Sequence, residues 1–174
     1  MVSLGLLVLR LVIGLIIAAH GAQKLFGWWG GPGMANWTAG MTRMRVRPPI
    51  VWAWMSVLGE VLGGIGLAVG LLTPLPSLAV AATMLVAIAL VHWPRGFWNA
   101  KGGFEFNVSL LGAVAAIALA GAGAYSLDAA FGIHLPEPVT LIAGTLAVLI
   151  GVGVALGTRG PAPKTASEPK PQAT

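Results

Sequence analysis

The stretch IVWAWMSVLGEVLGGIGLAVGLLTPLPSLAVAATMLVAIALV, Ile50 to Val91, contains one charged residue, Glu60. It reads as two apolar runs, Ile50–Leu72 and Leu75–Val91, parted by Thr73-Pro74-Leu75-Pro76. Proline breaks a helix interior but suits a first helical turn, so this tetrapeptide ends one helix and opens the next. A hydrocarbon core about 30 Å thick needs about 20 apolar residues at 1.5 Å each. The pair is therefore a transmembrane hairpin. Working outward, Val2–Gly21, Phe106–Ala124 and Val139–Leu156 are three further apolar runs. The first is not read as a signal peptide, because no basic residue precedes it and its one charge, Arg10, lies inside it.

Composition agrees. Of 174 residues, 57% are hydrophobic and 9% charged, and there is no cysteine. Mean hydropathy is +0.87. A soluble domain carries about 25% charged residues, so no polar shell can be assembled from this chain. Disordered and disulfide-scaffold classes are excluded as well. The expected fold is all-α and polytopic. Residues 1–128 form a four-helix transmembrane core with an interfacial loop at 26–49. An additional transmembrane helix follows at 139–157, then a disordered cytoplasmic tail at 158–174.

Charge gives direction. If the chain starts on side A, nine of its ten Lys and Arg residues fall on the opposite side B, whereas side A receives only Asp128 and Glu137. Basic residues mark cytoplasmic loops, so the amino terminus is expected outside and the carboxy terminus in the cytoplasm, which requires five spans. The +5 net charge is thus read as topology and not as a nucleic-acid site. All seven tryptophans also fall on side B. A headgroup belt explains them, and so does an aromatic layer that receives a flat ligand or a partner. Within the long loop, Met34, Trp37, Met41 and Met44 share one helical face, which predicts a short interfacial helix with its arginines toward anionic headgroups. Gly30-Gly31 follow His20 at the offsets at which Gly102-Gly103 follow His92, a short internal echo.

Charges inside the hydrocarbon region are costly and call for partners or a function. Counted from the span ends, Arg10 lies about 12 Å from side A and Glu60 about 15 Å from either side, so a midplane Arg10–Glu60 ion pair is expected. Gly59 and Gly63 would let helices close up around it. Near side B, His20 and His92 share a level, with Lys24, Glu105, Trp28 and Trp93 close by. Imidazoles, a carboxylate and a cation under aromatic cover suit hydrogen bonding and proton exchange with a quinone headgroup. Snorkelling to water explains the same residues. No metal site is expected, and no nucleotide fingerprint or nucleophile motif is present.

LRLVIGLIIAAHGAQKLFGWWGGPGM (Leu9–Met34) closely resembles the opening of the DoxX family of small bacterial membrane proteins. The likeness continues through LGEVLGGIGLAVGLLTPL (Leu58–Leu75), LVAIALVHWPRGFW (Leu85–Trp98) and GGFEFNVSLL (Gly102–Leu111), with the HGxQKLFG block as its most specific part. The resemblance implies a four-helix membrane core in a bacterial cytoplasmic membrane; Val139–Leu156 and the basic tail are departures from it. It also implies a place in redox complexes. Relatives include the small membrane subunit of thiosulfate:quinone oxidoreductase and a membrane component of complexes linking a sulfurtransferase to a superoxide dismutase. It brings no catalytic residues. The leading expectation is a membrane subunit of a quinone- or sulfur-linked redox complex in contact with the lipid bilayer. The others are a proton-linked transporter or permease built on Arg10 and Glu60, and a non-catalytic scaffold. Gly66/Gly70 and Gly153/Gly157 permit homo-oligomers.

Overall fold

A computed structural model describes residues 1–161, so most of the tail expected at 158–174 lies outside the described residues. The described chain is entirely helical apart from turns and loops. Helix α1 spans Val2–Phe26 and ends on Gly27, whose φ of 75° is the left-handed cap that glycine adopts without strain. Helix α2, Gly33–Arg43, is the expected loop helix. Helix α3 spans Pro49–Val69, and α4 spans Pro74–Ala87 with proline in its first turn. The α3–α4 hairpin thus forms where the TPLP step predicts it. Helix α4 continues as one π-helical turn, Ile88–His92, and a short 3-10 turn, Trp93–Arg95. Pro94 has no N–H to give a carbonyl four residues back, so regular α geometry cannot persist there. Helices α5 (Glu105–Ala120), α6 (Leu127–Phe131) and α7 (Glu137–Gly157) complete the fold.

Among the described residues, four segments are long and apolar enough to cross a membrane: α1, α3, Pro74–Arg95 and Pro138–Gly157. Helix α5 has 16 residues and is shorter than the expected Phe106–Ala124 run. Gly121 ends it, with φ 78° and ψ −179°. The chain then folds back over the start of α1, where Gly123 packs on Leu6 and Ser3.

Small residues fix the packing. A Cβ on Gly14 would lie 2.5 Å from the Gly64 carbonyl, and one on Gly21 would lie 2.9 Å from the Val61 nitrogen, so α1 and α3 run backbone to backbone. On the other face of α3, Gly59 and Gly63 admit Thr83 and Val80 of α4. Helix α7 packs chiefly on α4, with Gly144 receiving Leu78. The core joins Ile17, Leu67, Val80, Met84, Leu110, Val114 and Ile117 from α1, α3, α4 and α5. Leucines, valines and isoleucines along α1 and α7 face outward, as a lipid-facing surface requires.

Candidate functional site

The contacts between α1 and α3 decide which charges meet. Gly21 lies opposite Glu60 and Val61, Gly14 opposite Gly64 and Ala68, and Arg10 beside Gly70. Arg10 is therefore level with a position ten residues, or about 15 Å of helix rise, beyond Glu60. The expected Arg10–Glu60 ion pair does not form. Depth counted from the helix ends assumed flush ends, whereas α1 overhangs α3 on side A and α3 overhangs α1 on side B.

Each charge has another partner. The Arg10 guanidinium, with no exposed surface, donates to the carbonyls of Ala122 and Tyr125. Asp128 supplies the negative charge that acts on it. That carboxylate accepts from Leu72 N–H (2.6 Å), Thr73 N–H (2.9 Å) and Thr73 Oγ1 (2.7 Å), locking the hairpin. Leu72 is held there at φ 51°, a conformation a leucine adopts only under such constraint. Asp128, in sequence no more than a side A charge, is the keystone of this end.

Glu60 is 2% exposed. Its Oε1 pairs with Lys24 Nζ, which also lies 3.5 Å from Ser56 Oγ and 4.4 Å from the Trp37 ring centroid. Lys24 is one helical turn beyond Gly21, and its flexible stem reaches inward along the gap that Gly21 opens. The HGxQKLFG block thus acquires a physical meaning. Gly21 brings the backbones together, Lys24 finds the buried carboxylate, and Gly27 turns the chain toward α2.

This ion pair lines a cavity of about 380 Å³. Trp37 and Met41 of α2 and Trp52 of α3 cover it, and Val86, Leu90 and Val152 contribute to its apolar wall. The face carrying Met34, Trp37 and Met41 turns to the bundle and packs with Val46 and Ala53, so α2 is a roof on the cavity. Helices α3 and α7 both pack on α4 and flank the cavity; Met55 and Ala147, on its lining, are exposed at its mouth.

The rim expected from His20, Lys24, His92, Glu105, Trp28 and Trp93 does not converge on this space: Lys24 alone of the six lines it. His20 is exposed beside Phe106, at 6.1 Å between ring centroids. His92 Nδ1–H donates to the Gly102 carbonyl at 2.7 Å. Glu105 accepts from the Asn99 N–H at 3.0 Å, Trp28 stacks on Phe26, and Trp93 stacks on Phe104. These contacts fasten the side B loops. Among the described residues no group of His, Cys, Asp and Glu could hold a metal ion.

A helical bundle with lipid-facing apolar surfaces, a buried ion pair and a cavity beside it defines a polytopic membrane protein. The DoxX family model matches residues 5–93, just over half of the chain, and the protein belongs to that family. The match spans α1 to the π-helical turn and so includes Lys24, Trp37 and Glu60. No curated protein and no solved structure matches the chain.

Proposed function

We propose that this protein is a subunit of a redox complex in the bacterial cytoplasmic membrane. In this reading its carboxy terminus lies in the cytoplasm and its cavity receives a quinone from the bilayer. One observation carries the reading: an apolar cavity between helices long enough to cross a membrane is lined by the buried Lys24–Glu60 pair, with Lys24 over the Trp37 ring. Small-molecule sites combine mostly apolar walls of about 300–1,000 Å³ with a few placed polar groups, and this cavity has that make-up. Trp37 offers an aromatic face, while Lys24 and Glu60 offer a cation and a carboxylate for a polar head. When bound, a quinone supplies two-electron, two-proton chemistry that the side chains of this cysteine-free chain do not provide. The Lys24 ammonium would orient a ring oxygen, and the Met41 and Trp52 side chains would keep bulk water from it. The transporter reading required Arg10 to meet Glu60, and that contact is absent.

The test is purification of the full chain in gentle detergent, followed by mass spectrometry of co-purifying quinones. The wild type and a His20→Ala/His92→Ala variant should retain quinone alike. The paired variant Lys24→Met/Glu60→Gln, which removes both charges together, should lose at least ~90% of it, as expected for lost charged hydrogen bonds of about 1.5–3 kcal/mol. Equal retention by the paired variant, or no quinone in the wild type, overturns the reading and leaves a scaffold.

A further inference from the structure

Among the described residues, two buried polar atoms on side chains that line the cavity have no protein partner, and they need opposite things. Glu60 commits Oε1 to Lys24, while no protein donor reaches Oε2. The Trp37 Nε1–H is buried with no protein acceptor. Both residues line the cavity and both flank one atom, Lys24 Nζ, which is bonded to Glu60 and lies 4.4 Å from the Trp37 ring centroid. An unpaired carboxylate oxygen away from water is among the costlier buried groups, so an occupant that donates to it is favoured.

The chemistry narrows the head group. A carbonyl accepts and cannot donate, so it can serve Trp37 and leaves Glu60 Oε2 unpaired. An ammonium meets Lys24 as a like charge, and a carboxylate meets Glu60 as one. A hydroxyl is a small neutral group whose single oxygen both donates and accepts. We propose that the cavity recognises its ligand through a hydroxyl donated to Glu60 Oε2 and accepting from Trp37 Nε1, and therefore holds the hydroquinone form more tightly than the quinone. This rests on the quinone reading above and adds a preference between the two redox states. The two forms differ by two electrons and two protons, and it is the added hydrogens that Glu60 reads.

The experiment compares decyl-ubiquinol with decyl-ubiquinone on the full chain in lipid nanodiscs under anaerobic conditions, with retention of each probe quantified by chromatography. The wild type should bind the reduced probe at least tenfold more tightly, which raises the two-electron potential of the bound couple by about 30 mV per tenfold preference. Trp37→Phe removes a donor that both forms use, so it should weaken both by a similar factor and leave their ratio. Glu60→Gln places an amide donor at the carboxylate and should bring the ratio to about one or below. Equal or tighter wild-type binding of the oxidised probe overturns this inference while the quinone reading stands. Retention of neither probe overturns both. The wild-type comparison needs no variant to fold.

Discussion

Arg10 and Lys24 lie fourteen residues apart on α1, about 21 Å of rise, and the protein neutralises them by different means. Arg10 receives two backbone carbonyls from the chain that folds over side A, a good match for a planar fork of donors. Lys24 receives a carboxylate, and its compact charge on a flexible stem suits the reach from the last turn of α1 to the middle of α3. The two networks are separate, and a double-mutant comparison measures that separation. Arg10→Met and Glu60→Gln should destabilise additively, within about 0.5 kcal/mol. Lys24→Met and Glu60→Gln should couple by roughly 1–3 kcal/mol, because the second change removes a buried charge that the first leaves unpaired. Unfolding in mixed micelles reads both cycles. Strong coupling between Arg10 and Glu60 would sink the assignment. Sequence made the buried charges conspicuous, since Arg10 and Glu60 stand out in apolar runs, but their partners depend on an axial offset of two helices that no composition or period encodes.

At the scale of elements, the helices were readable because each apolar run carries its own stops. Gly27 ends α1, the TPLP step parts α3 from α4, and the Met34/Trp37/Met41 period marks α2. What could not be read was which face of a glycine-rich helix meets which neighbour. Gly59 and Gly63 flank Glu60 in sequence yet pack on α4, while Gly64 meets α1. Glycines in similarly apolar sequence surroundings therefore have opposite tolerance. Gly14→Ala places a Cβ within 2.5 Å of the Gly64 carbonyl, where backbone must move, and should cost about 1–3 kcal/mol. Gly153 on α7 meets nothing within 4 Å, and Gly153→Ala should change stability by less than about 0.5 kcal/mol. Thermal unfolding of the two variants side by side checks this. Equal losses would mean that the face of α7 carrying Gly153 is buried against another chain.

For the whole molecule, the proposed direction across the membrane is supported by where α7 ends. Thr158 to Pro161 leave α7 beside the α2–α3 loop: Arg159 Nε donates to the Met44 carbonyl at 3.3 Å, and the Gly160 N–H donates to the Arg45 carbonyl at 2.9 Å. The Arg47 guanidinium lies against Gly160 as well. The carboxy-terminal end of α7 therefore shares an end of the bundle with Arg43, Arg45 and Arg47, opposite the Arg10–Asp128 network. This joins a charge argument to a geometric one. Basic residues favour the cytoplasmic face, and the contacts at Arg159 and Gly160 put the end of α7 beside Arg45 and Arg47, so in the proposed orientation α7 returns to that face. The same run makes α7 one wall of the cavity, so topology and site stand together. A reporter fused after Thr174 should be active in the cytoplasm, and one placed before Met1 should be active outside. Replacing Arg43, Arg45 and Arg47 by Gln should lower the fraction of chains in that orientation, read as a mixed reporter signal. Reporters active only outside at both the amino and the carboxy terminus would mean that α7 does not cross. The cavity would then lose its α7 wall in the membrane, and the quinone reading would fall with the proposed orientation.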